Sequence, residues 1–464
     1  MPANLSETRE PAGAAARSKT LELSGWGRHP RVRAEVVRPE YVSAVDVTRW
    51  GRVLARGLGR SYGDAALSKE GVVLLTERLN RFLDFDERAG VLRAEAGATV
   101  AEVLEVFAPR GWFPPVTPGT KFVTLGGCVA ADVHGKNHHR EGAFGAHVEG
   151  LELALADGTR ARCSPAESPD LFRATVGGMG LTGVITEVTL RLKFVETSHM
   201  IVRHHASRDL AESLALLEDP TYDDEYTVAW VDMLAGGGRA GRGVLMRGQH
   251  ARASELPREF REREGMRTGA RAAVPFGLPA FALNRLTASV FNRLYYRAQG
   301  RRRAPYVADF NRFFYPLDAL GGWNRAYGRA GFVQYQCVLP LSESARGLAR
   351  VREVLAASRE PCFLAVLKRF GPEGSGLLSF PIPGYTLALD FPVRGDELFA
   401  LLRKFDDIVV DHGGRVYLAK DACLDPEKFR LMYPRFPEWR EVKRRVDPGD
   451  RFRSELSRRL GITP

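Results

Sequence analysis

The chain has 464 residues, which is too long for one ordinary hydrophobic core, so its length predicts two domains. Its formal net charge of +11 favours an anionic partner: a nucleotide, a phosphorylated substrate, an acidic membrane surface or a nucleic acid. The five cysteines are scattered and form no Cys-x-x-Cys pair, so neither a disulfide framework nor a zinc site is indicated.

The N-terminal residues 1–18 are polar and rich in Ala, Pro and Glu, which predicts a disordered tail without a secretory signal. No run approaches the ~20 apolar residues that a membrane-spanning helix needs. We therefore expect a protein of the cytoplasm or of the periphery of the inner membrane.

Short β-like runs then alternate with turns and helical patterns up to about residue 192. The predicted strands are Val32–Val37, Val53–Ala55, Gly71–Leu75, Val91–Ala94, Leu151–Leu155 and Val184–Leu192. Thr99 is predicted to cap a helix that ends at Gly111, and Asp170 begins another short helix. The succession predicts a mixed α+β fold and not a regular βαβ series.

Residues 252–303 have a different composition, with twelve arginines around the apolar piece Pro275–Leu283. They predict a loop-rich, partly helical insertion. Two interpretations remain open: a solvated basic surface, or a basic and apolar element that contacts anionic lipid or covers the active site. Strand patterns return at Phe332–Pro340, Cys362–Lys368, Tyr385–Phe391 and Val416–Leu418, before arginine-rich helices.

Three glycine-rich segments precede residue 184, at Arg56–Asp64, Gly126–His139 and Val176–Gly183. The first has the spacing G-x-G-x-x-x-G and no helical pattern after it, which disfavours a Rossmann dinucleotide site. Backbone N–H groups in such turns form nests that bind anions. The three segments together predict one large cofactor that carries phosphate.

Three histidines of the second segment, His134, His138 and His139, flank Lys136. They could bind a metal, form hydrogen bonds within their loop, or contact a flavin or its phosphates. No carboxylate or cysteine completes a metal-ligand set at a familiar spacing, so we expect no metal.

Several motifs carry a resemblance to a known family. Pro118-Gly119-Thr120, the glycine pair with His134–His139 and the Arg56–Asp64 loop resemble the vanillyl-alcohol-oxidase-type FAD enzymes (PCMH-type). Within these, the chain is similar to the family of decaprenylphosphoryl-β-D-ribose 2'-oxidases over nearly its whole length. The further shared motifs include Trp323–Gly328, Lys368–Pro372, Leu378–Gly384, Asp390–Pro392, Tyr417–Asp421 and Met432–Pro434.

The resemblance implies a two-domain α+β fold with a bipartite FAD domain. Residues 19–196 would form the FAD-binding domain, residues 197–411 an antiparallel-sheet substrate domain with the insertion 252–303, and residues 412–464 a segment that returns to the FAD domain. Some relatives bond flavin covalently through a histidine of the first loop, where this chain has Arg60-Ser61-Tyr62, so we expect non-covalent FAD.

The resemblance also implies the FAD contacts residue by residue. They are Arg56, Gly57, Leu58, Gly59, Arg60, Ser61, Tyr62, Gly63, Asp64, Ala65, Gly119, Thr124, Leu125, Gly126, Gly127, His134, Gly135, Lys136, Asn137, Ile185 and Tyr417.

The implied reaction oxidises the 2'-hydroxyl of a polyprenylphosphoryl-ribose to a ketone, which a partner short-chain reductase would convert to the arabinose epimer for cell-wall arabinan. The implied catalytic residues are Lys420, His134, Tyr62 and Gln336; the implied substrate-binding residues are Lys136, Lys368, Gln334, Tyr385 and Trp230. The lipid tail of such a substrate favours peripheral membrane contact.

Two other functions are compatible with parts of the sequence. One is an oxidase of a free sugar, alditol or aldonolactone. The other is a basic nucleic-acid-binding protein, which is disfavoured because the chain has no helix-turn-helix, zinc-finger or RNA-binding signature.

The chain departs from the family near its Asp-Phe-Pro motif. Mycobacterial members carry a cysteine two residues before this motif, where this chain has Ala388. The pair Tyr385-Thr386 replaces Trp-Asn. We therefore expect resistance to inhibitors that act by bonding that cysteine, and a sugar pocket that differs in detail.

Overall fold

The computed structural model describes residues 18–221, 223–261, 272–273, 284–302 and 304–464. The expectations for residues 1–17 and for Pro275–Leu283 lie outside the described residues. The strands are β1 Lys19–Ser24, β2 Arg31–Val37, β3 Val53–Arg56, β4 Val72–Leu75, β5 Phe82–Asp86, β6 Val91–Glu95, β7 Trp112–Phe113, β8 Val148–Ala154, β9 Arg160–Cys163, β10 Val184–Arg191, β11 Lys193–Phe194, β12 His199–Ser207, β13 Tyr226–Val231, β14 Gly243–His250, β15 Ala272–Ala273, β16 Tyr306–Asp309, β17 Leu320–Gly321, β18 Phe332–Pro340, β19 Ala365–Phe370, β20 Gly384–Pro392 and β21 Arg415–Val416.

The α-helices interrupt these strands along the whole chain. They are α1 Val100–Phe107, α2 Leu125–Ala130, α3 His138–Glu141, α4 Pro169–Thr175, α5 Leu210–Glu218, α6 Arg258–Arg261, α7 Arg285–Gly300, α8 Phe310–Phe314, α9 Leu341–Ala357, α10 Asp396–Asp411, α11 Pro426–Met432, α12 Phe436–Val446 and α13 Glu455–Arg459.

Two sheets form the N-terminal part of the molecule. A four-stranded sheet has the order β1-β2-β4-β3, and a five-stranded sheet has the order β5-β6-β10-β8-β9. Buried and exposed residues alternate along β2, because successive side chains of a strand point to opposite faces. All the strands expected before residue 192 are confirmed, with ends that shift by up to three residues.

Helix α1 begins where the sequence predicts it. The Thr99 hydroxyl accepts a bond from the Glu102 N–H, and the Glu102 carboxylate accepts one from the Thr99 N–H, which is a capping box. The face with Val100, Val103, Leu104 and Phe107 is buried. Gly111 ends the following turn with φ +82°, a conformation that glycine adopts without strain.

The larger C-terminal sheet has eight strands in the order β16-β12-β14-β13-β19-β20-β18-β21. Helices α5, α9 and α10 pack on one of its faces. Register places Gln336, Ala388 and Val366 side by side on the other face, because directly paired residues of antiparallel strands point the same way. We call this second face the site face.

Residues 412–464 contact both parts of the molecule. Strand β21 pairs with β18 in the large sheet, where the sequence predicts a strand. Farther on, the Val53 N–H donates to the Arg451 carbonyl at 2.9 Å, and the Trp439 indole donates to the Ala174 carbonyl at 2.8 Å. No helix among the described residues is long and apolar enough to cross a membrane.

Candidate active site

The first glycine-rich loop presents its backbone as a row of donors. Among the residues that the structure describes, none of the five amides from Gly57 to Ser61 donates to a protein acceptor. The Arg56 guanidinium braces the loop, because it donates to the carbonyls of Ala66 at 2.9 Å and Ser24 at 2.7 Å. Gly59 has φ +62°. A loop whose N–H groups are free and whose position is fixed by a side chain is a candidate site for an anion.

The second loop uses its amides differently. The Leu125 and Gly126 N–H groups donate to the carbonyls of Ala98 and Ala96, and the Gly127 N–H donates to the Thr124 hydroxyl at 3.2 Å. These bonds hold α2 against the end of β6. Gly119, in contrast, has no atom within 4 Å of the point where a Cβ would lie, so it borders open space.

The end of the first loop is anchored to the C-terminal segment. The Arg459 guanidinium donates two bonds to the Asp64 carboxylate, at 2.9 and 2.8 Å, and one to Asp421 at 2.8 Å. A side chain at Gly63 would collide with the Asp421 carbonyl. The Asp64 carboxylate is therefore bonded to Arg459, and Ala65 packs in the hydrophobic core.

His134 is the centre of the polar cluster on the site face. Its Nδ1 lies 3.1 Å from Lys368 Nζ, and its Nε2 lies 2.9 Å from Gln336 Nε2. Burial, together with the charges of Lys368, His138 and Lys420, holds the pKa of His134 well below its usual range. The imidazole is therefore neutral at physiological pH.

A neutral imidazole carries a proton on only one of its two nitrogens. Because Nδ1 of His134 faces Lys368, the position of this proton depends on the charge of Lys368. As oriented, the Gln336 amide donates to His134 and to the Thr386 hydroxyl, which itself donates to the Cys337 carbonyl. This arrangement places the His134 proton on Nδ1, facing an uncharged Lys368 amine. A Lys368 ammonium, which predominates below its pKa of about 8, requires the other tautomer and a reversed Gln336 amide.

Lys420 lies beside Tyr62, and the buried carboxylate of Asp390 affects its pKa. Its Nζ is 3.8 Å from the centroid of the Tyr62 ring. Burial foremost, and the charge of Lys368, lower the pKa of Lys420 to about 7, although the carboxylate of Asp390 opposes this shift. Burial raises the pKa of Asp390 to about 7, and its Oδ1 accepts a bond from Gln334 at 2.6 Å.

Lys136 and Lys368 are two more buried lysines of this cluster. Burial lowers the pKa of Lys368 to about 8, and burial with the charge of Lys368 lowers that of Lys136 to about 7. The Lys136 Nζ donates to the Phe313 carbonyl and lies 4.2 Å from the centre of the Phe313 ring. Three buried lysines with lowered pKa values mark this cluster as a candidate site for an anionic ligand.

The remaining predicted residues divide into those near the cluster and those outside it. Tyr417 stacks on Phe380 and approaches His134, with its ring centre 5.6 Å from the imidazole. Asn137 keeps one buried amide oxygen without a partner, and Trp230 lies on the site face opposite Val366. Within the described chain, the other predicted cofactor residues Leu58, Gly135 and Ile185 line these loops or the adjoining strand β10.

Tyr385 is not brought to the cluster. It pairs with Leu339 and Arg369, so it points to the sheet face opposite His134, while its neighbour Thr386 bonds Gln336 on the site face. The pKa of Tyr385 is raised by burial and by Glu218 on α5. We therefore replace Tyr385 by Thr386 in the candidate site.

Sequence reasoning also missed Asp390 and Arg459. Asp390 is 1% exposed, and its Oδ2 has no hydrogen-bond partner in the described structure. An acidic residue inside the apolar run Tyr385–Phe391 was the available signal. Arg459 lies 395 residues after Asp64, and nothing local marks its role.

The described residues contain no cluster of three or more His, Cys, Asp and Glu side chains arranged to hold a metal. His138 instead accepts a bond from the Gly371 N–H at 3.1 Å, and burial lowers its pKa to about 3. The polar groups of the candidate site are the free loop amides, the three buried lysines and a neutral imidazole.

Comparison with known proteins identifies the class. A family model described as an FAD binding domain matches residues 42–164, and a model described as D-arabinono-1,4-lactone oxidase matches residues 394–460. The chain is an FAD-dependent oxidoreductase that acts on alcohol or lactone substrates.

Two relatives that match nearly the whole chain define its family more closely. Decaprenylphosphoryl-β-D-ribose oxidase of Mycolicibacterium smegmatis is 38% identical over 455 residues, which cover 96% of this chain and 98% of that protein. L-gulono-1,4-lactone dehydrogenase of Mycobacterium tuberculosis is 25% identical over 94% of this chain and 98% of its own length. The chain belongs to the FAD-binding PCMH-type oxidase family that includes the first of these relatives.

The geometry fits FAD at these loops. The amides of residues 57–61 are free for a diphosphate, Gly119 borders open space, and Arg60 Nε is buried without a partner. Tyr62, which follows these amides directly, lies under the amine of Lys420.

Proposed function

We propose that this protein oxidises the 2'-hydroxyl of a polyprenylphosphoryl-β-D-ribose to the 2'-ketone with non-covalent FAD. One observation carries the proposal: three lysines with lowered pKa values converge with neutral His134 next to a loop of free amides. The 38% identity over nearly the full length of a decaprenylphosphoryl-ribose oxidase supports the same substrate class.

Oxidation of a secondary alcohol removes a hydride from the carbon and a proton from the oxygen, so it requires a hydride acceptor and a base. Bound FAD would accept the hydride from the sugar carbon. Lys420 is the residue we assign to the hydroxyl proton, because a pKa of about 7 keeps a large share of its amine uncharged near neutrality.

The other residues bind and orient. Lys136 and Lys368 would attract the phosphodiester of the substrate, and His134 with Gln336 would fix the position of Lys368. Asp390, through Gln334 and its field at Lys420, would tune the base. The Tyr62 ring would stabilise the ammonium form of Lys420 through a cation–π contact.

The reaction leaves a ketone, so a second enzyme must return hydride from the opposite side to reach the arabinose epimer. We assign this step to a partner short-chain reductase. Incubation of this protein alone with the lipid-linked ribose should yield only the keto sugar, and addition of such a reductase with its nicotinamide cofactor should yield the arabinose form.

The decisive experiment is the visible spectrum of the purified protein during anaerobic titration. Polyprenylphosphoryl-ribose in detergent should bleach the flavin, while free ribitol and gulonolactone should not. Bleaching by the lactone alone would instead favour lactone oxidation. Absence of flavin after reconstitution with FAD would contradict the cofactor assignment.

Lactone or alditol oxidation is the second candidate. The match of residues 394–460 to a lactone-oxidase model favours it, as does the full-length likeness to a gulonolactone dehydrogenase. A neutral lactone gives Lys136 and Lys368 no anion to bind, however, so this function leaves two buried lysines unexplained.

A further inference from the structure

Helix α7 shows apolar side chains to solvent along one stripe. Leu286, Val290 and Leu294 are 74%, 51% and 60% exposed, and they follow one another at intervals of four residues. Side chains at this spacing lie on one face of a helix. Contiguous exposed apolar residues of this kind mark an interaction surface.

Cations are interspersed with the stripe. Arg293 and Arg297 are exposed on the same side of α7, and Arg301 and Arg302 follow the helix. The helix contains no Asp or Glu. Arginine stems can lie along an apolar surface while their guanidinium groups reach outward to polar headgroups.

The opposite side of α7 is fixed to the protein. Asn292 donates to Asp232 at 3.0 Å, the Tyr296 hydroxyl donates to the Ser207 carbonyl at 3.2 Å, and Ala288 is fully buried. Arg285 donates to the Ala356 carbonyl at 3.0 Å at the end of α9. The exposed stripe therefore belongs to a docked helix and not to a frayed one.

The inner side of α7 also connects the stripe to the candidate site. The Tyr295 ring lies 4.7 Å from the Trp230 ring, centre to centre. Trp230 is opposite Val366 on the site face, and Lys368 follows two residues later on the same face. A ligand held at the stripe would thus lie on the same side of the sheet as the lysine cluster.

We propose that α7 is a membrane-docking helix whose outward stripe of Leu286, Val290 and Leu294, with Arg293 and Arg297, binds an anionic phospholipid bilayer. The proposal rests on the proposed function, because a lipid-linked sugar would reach the site from such a surface. An apolar stripe with arginines inserts at the boundary of headgroups and acyl chains, and each cation near an anionic surface strengthens binding.

Charge selects a bilayer over a second copy of this chain. Two identical stripes would bring arginines against arginines, and the whole chain carries a net charge of +11. Anionic headgroups complement the same arginines. The bilayer accommodates both the apolar and the cationic parts of the stripe.

The test is co-sedimentation of the FAD-loaded protein with vesicles. We expect binding to phosphatidylcholine vesicles that contain phosphatidylglycerol, weak binding to pure phosphatidylcholine, and release at high salt. The variant Leu286→Ser/Val290→Ser/Leu294→Ser should lose at least about tenfold in binding. Leu431→Ser on α11 is the matched control, because Leu431 is 66% exposed and lies outside α7.

A second measurement covers the case in which the triple variant fails to fold. Leu294→Cys and, as control, Leu431→Cys are labelled with an environment-sensitive fluorophore, and only the first label should shift to the blue on addition of anionic vesicles. Equal binding by the folded triple variant, equal shifts of both labels, or absence of wild-type binding to anionic vesicles would overturn the proposal. So would concentration-dependent dimerisation that the triple variant abolishes.

This test is independent of catalysis. Vesicle binding needs no turnover, whereas the anaerobic bleaching experiment runs in detergent without vesicles. A protein that bleaches with the lipid-linked sugar but ignores vesicles would retain the proposed function and lose the docking helix. The reverse result would retain the helix and lose the substrate.

Discussion

The Nζ atom of Lys420 lies 3.8 Å from the centre of the Tyr62 ring, and the Tyr62 N–H donates to the carbonyl of Ala419 at 3.0 Å. The glycine-rich loop and the Tyr417–Asp421 segment therefore meet side by side, although more than 350 residues separate them. An aromatic face stabilises an ammonium, while burial destabilises it. The balance leaves the amine of Lys420 ready to exchange a proton near neutral pH.

Replacement of this amine should remove proton transfer and spare cofactor binding. We expect Lys420→Met to slow flavin reduction by the lipid-linked ribose by roughly 10²–10⁴-fold, with flavin content unchanged. Stopped-flow absorbance in anaerobic solution measures the rate. Lys404→Met, an exposed lysine on α10, is the control. A Lys420→Met enzyme with the wild-type rate would exclude Lys420 as the base.

The rate should also rise with pH. Because the pKa of Lys420 is lowered to about 7, the uncharged amine that accepts a proton predominates above pH 7 and is lost below it. Flavin reduction should fall about tenfold per pH unit on the acid side of that midpoint.

The carboxylate of Asp390 raises the pKa of Lys420, so its removal has a definite sign. In Asp390→Asn the midpoint of the rate profile should move to lower pH. Gln334→Leu, which removes the hydrogen bond to Asp390 but no charge, should move it less. A profile that moves to higher pH would contradict the arrangement.

The Arg459 guanidinium should stabilise the fold as well as the site. Arg459→Met leaves the carboxylates of Asp64 and Asp421 without their shared partner, and loss of one member of such a buried pair costs about 3 kcal/mol. Urea denaturation measures the free energy of unfolding, and flavin release should accompany the loss. Arg458→Met, a more exposed neighbour that pairs with Glu70, should change stability little.

Ala388 determines the response to inhibitors that bond a cysteine at this position. It is opposite Gln336 and Val366 on the site face, and it is half-buried. The wild type should resist such compounds and form no adduct, whereas Ala388→Cys should form one, which intact mass spectrometry detects. Cys337 and Cys362 are fully buried, so they serve as internal controls. An adduct on the wild-type protein would refute the prediction.

Much of the fold follows from local patterns. The alternation in β2 and the capping box of α1 are short-range signals, and both elements form where they are predicted. Strand β13 was missed because all six of its residues are buried, so that no alternation is visible. Helix α7 was only partly foreseen, because its inner side buries Ala288 and Asn292 in place of large apolar residues.

The site was harder to predict than the fold, because it depends on register and on distant contacts. Tyr385 and Thr386 are adjacent, yet only Thr386 faces His134, since neighbouring residues of a strand point to opposite faces. The resemblance supplied the lysines and His134, and the structure brings them together. The acidic Asp390 stands out within an apolar run, but its contact with Gln334, 56 residues away, is visible only in the structure.

The bridge from Arg459 to Asp64 and Asp421 gives the molecule an order of assembly. During synthesis the glycine-rich loop emerges early, but its anchor is nearly 400 residues downstream. A nascent chain therefore cannot form this anchor of the loop until Arg459 has left the ribosome. Chains that stall before α13 would lack this contact, and the Asp64 and Asp421 carboxylates would keep no shared partner.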